Sequence, residues 1–158
     1  MQKIIFKNER GQTVELGNSR PFILTEIDGT GGLGTTLITS KAPYQDGTTH
    51  HNTRLDPRIL PIKGGIVGKD REDRYRKRQQ LSSIFSPKIK GTLTYINNAL
   101  ERTIDCAVEA GPTWGKSVRR IQEFMVQLYC PNPLWMDRLV IDEEIAQWLG
   151  GMTFPLRL

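Results

Sequence analysis

Long hydrophobic runs are missing from this sequence. None of its apolar stretches approaches the roughly 18 residues that a membrane span needs, so we predict no contact with a membrane. The first residues, MQKIIFKNERG, also lack the apolar core and small-residue cleavage site of a signal peptide, which argues against export. The 158 residues, of which 37% are apolar and 25% charged, are enough for one folded domain with its own core.

Cysteine and histidine are scarce. Cys106 and Cys130 are too few for a disulfide scaffold, and we interpret them as reduced core thiols, with a bridge between them as the open alternative. His50 and His51 are adjacent, so their side chains diverge in a strand, and no cysteine or carboxylate lies at zinc-ligand spacing. A G-x-S-x-G motif is missing, and neither cysteine has a histidine close in sequence. We therefore predict no metal site, no catalytic residue and no cofactor.

The hydrophobic pattern predicts a mainly β chain with one helix. The predicted strands are KIIF, TVEL, PFILTEI, RILPIKGGIVG, GTLTYI, ALERTIDCAVEAG and RRIQEFMVQLYC. In the last two, apolar and polar residues alternate, which is typical of strands with one buried face. The positions predicted to be buried in this way are Ile104, Cys106, Val108, Phe124, Val126, Leu128 and Cys130. Asn97-Asn98 predicts a two-residue turn between two neighbouring strands.

The predicted helix is KDREDRYRKRQQLSSIF, residues 69 to 85. Asp70 is placed to cap its N-terminus, Asp73 follows three residues later, and Pro87 ends the helix. The residues expected on its partly apolar face are Tyr75, Leu81 and Phe85.

The middle of this helix is rich in cations, which are candidates for a subunit interface or for phosphate binding. These residues are Arg74, Arg76, Lys77 and Arg78. Together with the net charge of +5 they allow nucleic-acid binding. The acidic first turn and the lack of flanking aromatic platforms favour a solvated face, or an interface that forms ion pairs with a neighbour.

DGTGGLG, residues 28 to 34, contains the spacing G-x-G-x-x-G. A dinucleotide fingerprint needs a helix directly after this loop, because the helix N-terminus holds the phosphate. Here TTLITSKAPY follows, and its β-branched residues and proline do not favour the start of a helix. The acidic residue that the fingerprint places at the end of a strand about 20 positions later is also missing. We interpret the loop as a turn or arm hinge that uses glycine for positive φ.

The segment from Leu37 to Arg54 is polar and rich in threonine. Asp46-Gly47 is a turn signal at its centre, so the segment predicts a β-hairpin arm that projects from the sheet. An arm of this kind can add its strands to a second subunit. The residues assigned to this arm contact are Tyr44, Gln45, Asp46, Gly47, His50, His51 and Arg54.

PNPLW, residues 131 to 135, ends the predicted sheet, because its two prolines favour extended backbone at a domain boundary. We expect a β domain over residues 1–133, and a linker or the start of a second domain over residues 134–158. Trp148, Met152 and Phe154 make this last segment apolar, so it needs a surface to pack on.

Taken in order, these segments resemble the distal tail proteins of phages and prophages with long, non-contractile tails. The resemblance is carried by RPFILTEIDGTGG, by YQDGTTHHNTRLDPRILPIKGGIVG, by the charged helix that runs into LSSIFSPKIKGTLTY, and by MVQLYCPNPLW. It covers roughly residues 3 to 136 and depends on order and spacing rather than on one motif. The final GGMTFPLRL is similar to the family's bridge into a second domain.

The resemblance implies a β-sandwich or split barrel with one helix and a projecting β-hairpin arm, related to phage tail-tube proteins. It implies a ring of six copies at the tail tip or baseplate of the virion, made in the cytoplasm of the bacterial host. The tail tube protein would bind one side of this ring, and the baseplate hub or tail fibre protein the other. DNA would pass through the channel without specific binding, and no reaction would be catalysed.

Two other classes stay open at this stage. A small nucleic-acid-binding β-barrel would use the basic helix, and its binding to DNA would weaken with salt. Another tail-tube-like ring protein would form rings of the same symmetry. The CPNPLW segment and the bridge that follows favour the distal tail class over it.

Overall fold

The computed structural model describes residues 1–138, which form a mainly β structure with one helix, as predicted. The strands are β1 (Lys3–Asn8), β2 (Thr13–Leu16), β3 (Phe22–Ile27), β4 (Thr35–Ser40), β5 (Thr49–Leu55), β6 (Arg58–Val67), β7 (Lys90–Ile96), β8 (Glu101–Val118), β9 (Ile121–Cys130) and β10 (Met136–Asp137). The helix, α1 (Arg71–Ile84), lies between β6 and β7 in the chain. Within this described range, no helix has the length and apolar character needed to cross a membrane.

Eight of the strands form one antiparallel sheet. Its order is β2-β1-β7-β8-β9-β6-β3, and β10 pairs with the beginning of β8. The two edges of the sheet meet where Gly17, after β2, bridges Ile23 of β3. There the N–H of Leu24 donates to the carbonyl of Gly17 at 2.8 Å. The sheet is thus curled into a split barrel that a short bridge closes.

The interior of the barrel holds the core, and the predicted alternation is confirmed. The inward side chains predicted in β8 and β9 are all at most 4% exposed. α1 closes part of the barrel with Leu81 and Ile84, and the ring of Phe85 stacks on that of Phe6 at a centroid distance of 4.6 Å. The prediction for Tyr75 was wrong. Its side chain is 47% exposed, because arginine side chains rather than the core lie against its ring.

Two strand ends differ from the prediction. The turn expected at Asn97-Asn98 is a four-residue connection, because the side-chain carbonyl of Asn97 accepts the N–H groups of Ala99 and Leu100. β8 runs on to Val118 although it contains Pro112. Pro112 lies at one of the register shifts between β8 and β9, where the regular hydrogen bonds between the two strands are already interrupted. The lack of a backbone N–H in proline therefore costs little at this position.

Cys106 and Cys130 are free, buried thiols on the neighbouring strands β8 and β9. The hydrogen bond between the two side chains and burial both raise the pKa of the Cys106 thiol far above its ordinary value. A buried, protonated thiol is a weak nucleophile. The interpretation of the two cysteines as core thiols is therefore confirmed.

The start of α1 is stabilised differently from the prediction. Asp70 occupies the N-cap position without a side-chain hydrogen bond. The carboxylate of Asp73 instead accepts the ammonium of Lys77 at 2.7 Å and the backbone N–H of Lys69 at 2.9 Å. These two hydrogen bonds hold the pKa of Asp73 below its ordinary value.

We expect Asp73→Asn to lower the melting temperature and Asp70→Asn to leave it nearly unchanged, because of these two carboxylates only that of Asp73 has hydrogen-bond partners. A carboxylate with a lower pKa in the folded state than in the unfolded state stabilises the protein when the pH is above the pKa of the unfolded state. This contribution is lost as the pH falls through the pKa of the folded state. The effect of Asp73→Asn should therefore shrink between pH 7 and about pH 3. Thermal unfolding followed by circular dichroism measures it, and equal effects of the two substitutions at pH 7 would contradict it.

Candidate assembly interface

β4 and β5 form a two-stranded sheet of their own, apart from the barrel. They pair antiparallel over their length, with one irregularity after Ile38. Every residue of β5 is exposed, and in β4 only Ile38 is partly buried. The predicted hairpin is therefore present, and residues 35–55 are named the arm.

The two faces of the arm differ in chemistry. Thr35 pairs with Leu55, and Leu37 pairs with Thr53, so the two leucines lie diagonally on one face. Their side chains are 62% (Leu37) and 47% (Leu55) exposed. A lone two-stranded hairpin is at best marginally stable in water. This apolar face is therefore suited to packing against a second surface.

The residues predicted at the arm tip lie together in one loop. Tyr44 is fully exposed and has a φ of 65°. Gly47 has a φ of 76°, a backbone conformation that the Asp46-Gly47 turn signal favours. Gln45 is tied inward, because its side chain accepts a backbone N–H of the loop and donates to Oγ1 of Thr49. Gln45 thus shapes the tip, and Tyr44 is the side chain it presents.

The two histidines of the arm have separate partners. A ring nitrogen of His50 is hydrogen-bonded to Oγ1 of Thr53 at 2.8 Å, and one of His51 to Oγ of Ser40. Arg54, the last predicted arm residue, lies on the face opposite the two leucines. In residues 1–138 no group of three His, Cys, Asp or Glu side chains could hold a metal ion.

The arm joins the barrel through the glycine loop, residues 28–34. β4 follows this loop directly, so no helix N-terminus is available to hold a phosphate. Gly29 has a φ of 74°, and a Cβ at this position would collide with the carbonyl oxygen of Ile59. Only glycine allows the loop to pass this close to β6. The loop is a turn at the root of the arm, as expected.

Arg58, at the start of β6, holds this root in place. Its side chain is 8% exposed. Its Nη1 donates to the carbonyls of Gly29 and Gly31, and its Nε donates to the carbonyl of Pro133 at 3.0 Å. The guanidinium thus ties the arm root to the segment that leaves β9. The sequence analysis missed Arg58, and the available signal was a cation at the first position of a mainly apolar strand.

The four cations predicted as one interface on α1 do not lie together. Arg76 and Lys77 form ion pairs within the helix, each with an acidic side chain four residues earlier and 2.7 Å away. Pairs of this kind are ordinary on solvated helix surfaces. Arg74 and Arg78 lie instead on the side of α1 that faces β8.

Arg71, which the sequence analysis did not select, joins Arg74 and Arg78 in a cleft beside the end of β8. This arginine cleft has a volume of about 350 Å³ and is lined by Arg71, Arg74, Tyr75, Arg78, Ser117 and Gln122. The spacing of the three arginines, at i, i+3 and i+7 of a helix, was the signal that could have identified it.

Contacts with β8 and its turn fix the position of Arg74. Its Nη1 donates to Oγ of Ser117 at 3.1 Å and to the carbonyl of Arg119 at 2.9 Å. Both acceptors are neutral, so the charge of Arg74 remains available to an anion in the cleft.

Aromatic rings fix the position of Arg78. Its guanidinium carbon lies 4.5 Å from the ring centre of Trp114 and 5.5 Å from that of Tyr75. Arg71 donates from Nε to the hydroxyl of Tyr75 at 3.3 Å. This hydrogen bond, together with the positive charge of the arginines, lowers the pKa of Tyr75.

The described residues thus form a split β-barrel with an exposed arm and a fixed cationic cleft. The family model for the phage tail protein RIFT-related domain matches residues 9–130, and the chain belongs to this family. It is a phage tail protein. The resemblance to distal tail proteins is confirmed by this match and by the likeness to the solved structures below.

Three solved structures share the fold. The crystal structure of the SPP1 Dit protein, described as a paradigm of the hub adsorption apparatus in phages that infect Gram-positive bacteria, matches with a TM-score of 0.65 and 18% identity. The match covers 85% of this chain and 52% of that one. The phage p2 baseplate in its activated conformation matches with TM-scores of 0.66 (strontium-bound, 12% identity) and 0.64 (calcium-bound, 15% identity). Both p2 matches cover 85% of this chain and 45% of the other.

At these identities the likeness concerns the fold. The chain spans about half the length of the solved proteins that it matches. No curated protein sequence matches it.

Proposed function

We propose that the chain is the ring-forming part of a distal tail protein at the tail tip or baseplate of a phage. The observation that carries the proposal is the arm, a bare hairpin with Leu37 and Leu55 exposed on one face. A ring of identical subunits needs one surface of each copy to fit a different surface of the next. An arm that reaches onto the neighbouring barrel supplies such a contact.

In this proposal six copies surround a channel through which DNA passes without specific binding. Residues 1–133 form the ring, and residues 134–158, most of which lie outside the described range, lead into a linker or second domain. The tail tube protein binds one side of the ring, and a baseplate hub or tail fibre protein binds the other. The fold shared with a hub protein and a baseplate component supports this position. The ring catalyses no reaction and uses no cofactor.

We expect Leu37→Thr combined with Leu55→Thr to abolish ring formation and to leave the barrel folded. Threonine keeps the strand propensity of the arm, so the substitutions remove mainly apolar contact area, worth about 25 cal/mol per Å². Size exclusion with light scattering, followed by negative-stain imaging, should show six-fold rings with an open centre for the wild type and monomers for the variant.

Ile38→Thr is the matched control, because Ile38 is an aliphatic residue of the same strand on the opposite face. This variant should still form rings. Rings formed equally well by the double leucine variant would contradict the role of the apolar face. A wild-type chain that stays monomeric at every concentration would count against self-assembly of this chain.

A nucleic-acid-binding barrel is the second candidate, favoured by the arginine cleft and the net charge of +5. Arg78 lies over the rings of Tyr75 and Trp114, so these ring faces are not free to stack on bases. Salt-sensitive binding of a DNA duplex that is lost in Arg71→Gln with Arg74→Gln would favour this candidate. Absence of such binding would leave the tail ring as the better-supported function.

A further inference from the structure

A second pocket adjoins the arginine cleft along α1. It has a volume of about 450 Å³, is named the aromatic pocket, and is lined by Tyr75, Arg78, Gln79, Ser82 and Trp114. Tyr75 and Arg78 line both the cleft and this pocket, so the two form one continuous surface. Such a surface is suited to a ligand that carries an anionic group beside an aromatic ring.

The arginine cleft supplies the cationic half of this surface. Within residues 1–138, none of Arg71, Arg74 and Arg78 forms an ion pair. Each guanidinium has five N–H donors, and the fold uses only a few of them. Planar guanidinium groups bind the oxygens of a carboxylate or a phosphate in pairs, so the cleft is prepared to bind such a group.

The tip of the arm presents both groups that this surface is suited to bind. Tyr44 is fully exposed. Asp46 is exposed as well, and it forms no ion pair with any of the described residues. One residue separates the two, so their Cα atoms are at most about 7 Å apart, and their side chains can enter adjoining pockets together.

The conformation of Tyr44 indicates a role outside its own barrel. Tyr44 is the third residue of a turn in which the N–H of Gln45 donates to the carbonyl of Ala42 at 3.2 Å, and its φ is 65°. Turns with a positive φ at this position favour glycine or asparagine. A bulky tyrosine is unfavourable there, and its exposed ring gains no packing from its own chain. Strained residues of this kind cluster at binding sites.

The arm and the arginine cleft lie at opposite ends of β6. The arm root is bound by Arg58 at the start of this strand. Val67 at its end pairs with Ile121, next to the turn whose carbonyl at Arg119 accepts Arg74 of the cleft. The ten residues of β6 span about 33 Å. Two different surfaces at opposite ends allow each copy in a ring to give its arm to one neighbour and to receive an arm from the other.

We propose that the arm tip of one copy binds α1 of the next copy, with the carboxylate of Asp46 in the arginine cleft and the ring of Tyr44 in the aromatic pocket. The contact rests on the ring proposed above, because a second copy supplies the tip. Ser117 and the carbonyl of Arg119 already orient Arg74, so the cleft loses little conformational entropy on binding. Tyrosine and arginine are also among the residue types enriched in the hot spots of protein interfaces.

Substitutions at the tip separate binding from folding. Tyr44→Asn introduces a residue that accepts a positive φ, and Asp46→Asn keeps a residue that favours the same turn. We expect the double tip variant to weaken association of the full chain about tenfold or more, and to keep or raise the melting temperature. Sedimentation velocity measures the association, and circular dichroism measures the melting temperature.

Substitutions on α1 test the other side of the contact. Arg71→Gln with Arg74→Gln should weaken association about as much as the double tip variant does. Arg76→Gln is the matched control, because Arg76 lies on the same helix but lines neither pocket, and it should weaken association less than about twofold.

Photo-crosslinking locates the contact. Tyr44 is replaced with p-benzoylphenylalanine, which keeps an aromatic ring at the tip. This full chain is mixed at high concentration with an isotopically labelled wild-type chain, so that mass spectrometry distinguishes crosslinks between copies from those within one. The crosslinks between copies should lie within residues 75–82 or at Trp114. A labelled chain with Arg71→Gln and Arg74→Gln should give few of them.

Two results would overturn the proposal. One is unchanged association of the double tip variant, which would leave the ring in place and assign its contact to another surface. The other is crosslinking between copies only outside the aromatic pocket, or none at all. If the wild-type chain forms no rings, crosslinks to the aromatic pocket would still support the pairwise contact, and only the ring would fail. Salt-sensitive binding of a short DNA duplex that depends on Arg71 and Arg74, without crosslinks to the pocket, would assign the cleft to nucleic acid.

Discussion

Replacing Arg58 with methionine should lower the free energy of unfolding by about 3 kcal/mol. The guanidinium of Arg58 donates to carbonyls of Gly29, Gly31 and Pro133 from a nearly buried position. Methionine has a similar length but donates no hydrogen bond, so these carbonyls lose their donor. Each buried acceptor left without a donor costs about 1 to 3 kcal/mol of stability. In the wild type the charge of Arg58 is buried without a carboxylate partner, which costs desolvation free energy. Methionine removes this cost, which offsets part of the loss.

Chemical unfolding in urea measures this effect, and the midpoint should fall while the slope stays the same. The melting temperature should drop by about 10 °C for a chain of this size. Hydrogen exchange adds a local readout, because the amides of residues 28–34 should exchange faster when the arm root is no longer tied to Pro133. Loss of ring assembly should accompany these changes, since the arm would no longer be held in one orientation.

Arg54→Met is the matched control for Arg58→Met. Arg54 is an exposed arginine on the arm, so the control removes the same charge and introduces the same side chain without disturbing a buried hydrogen bond. It should change the free energy of unfolding by less than about 0.5 kcal/mol. Equal stability of the two variants would show that Arg58 does not hold the arm root.

The parts of the fold that could be predicted from sequence are those in which a local pattern reflects the environment. Phe124, Val126 and Leu128 alternate with polar residues because the barrel wall has one apolar and one polar face. The arm was visible because a long polar segment with Asp46-Gly47 at its centre can pair with itself but cannot form a core. In both cases the information lies within a few consecutive residues.

The parts that could not be predicted depend on contacts between distant segments. Arg58 binds backbone carbonyls 27 to 75 positions away, and backbone acceptors leave no mark on the sequence. Tyr75 was assigned to an apolar face by its spacing, but arginines cover its ring instead. The long β8 was cut short at Pro112 because a register shift that tolerates proline is visible only when β9 is in place.

The arginine cleft lies between these two cases. Helical spacing groups Arg71 with Arg74 and Arg78, so one half of the cleft could be read from the sequence. The other half consists of Ser117 and Gln122, and Trp114 supports Arg78 beside them; only the fold brings these residues to the helix. A prediction based on the number of cations therefore selected Arg76 and Lys77 as well. The charges of these two residues are neutralised by acidic side chains of the same helix.

Gly29→Ala should be the second severe substitution, with a loss of about 2 to 4 kcal/mol in the free energy of unfolding. An alanine at a φ of 74° is strained by itself, and its Cβ would meet the carbonyl oxygen of Ile59, which β6 holds rigidly. The loop would have to move away from β6, and the hydrogen bonds from Arg58 to its carbonyls would be lost with it. Urea unfolding measures the effect.

Gly31→Ala is the control within the same loop. A Cβ at Gly31 meets no atom within 4 Å, and Gly31 has no positive φ, so this variant should be neutral or more stable by about 0.5 kcal/mol. The pair also bears on the two interpretations of the G-x-G-x-x-G spacing, because in a dinucleotide-binding loop the first glycine makes the tight turn and the second lets the backbone approach the pyrophosphate. If the loop serves only to carry the arm past β6, Gly29 is essential and Gly31 is not. Equal losses at both positions would contradict this assignment.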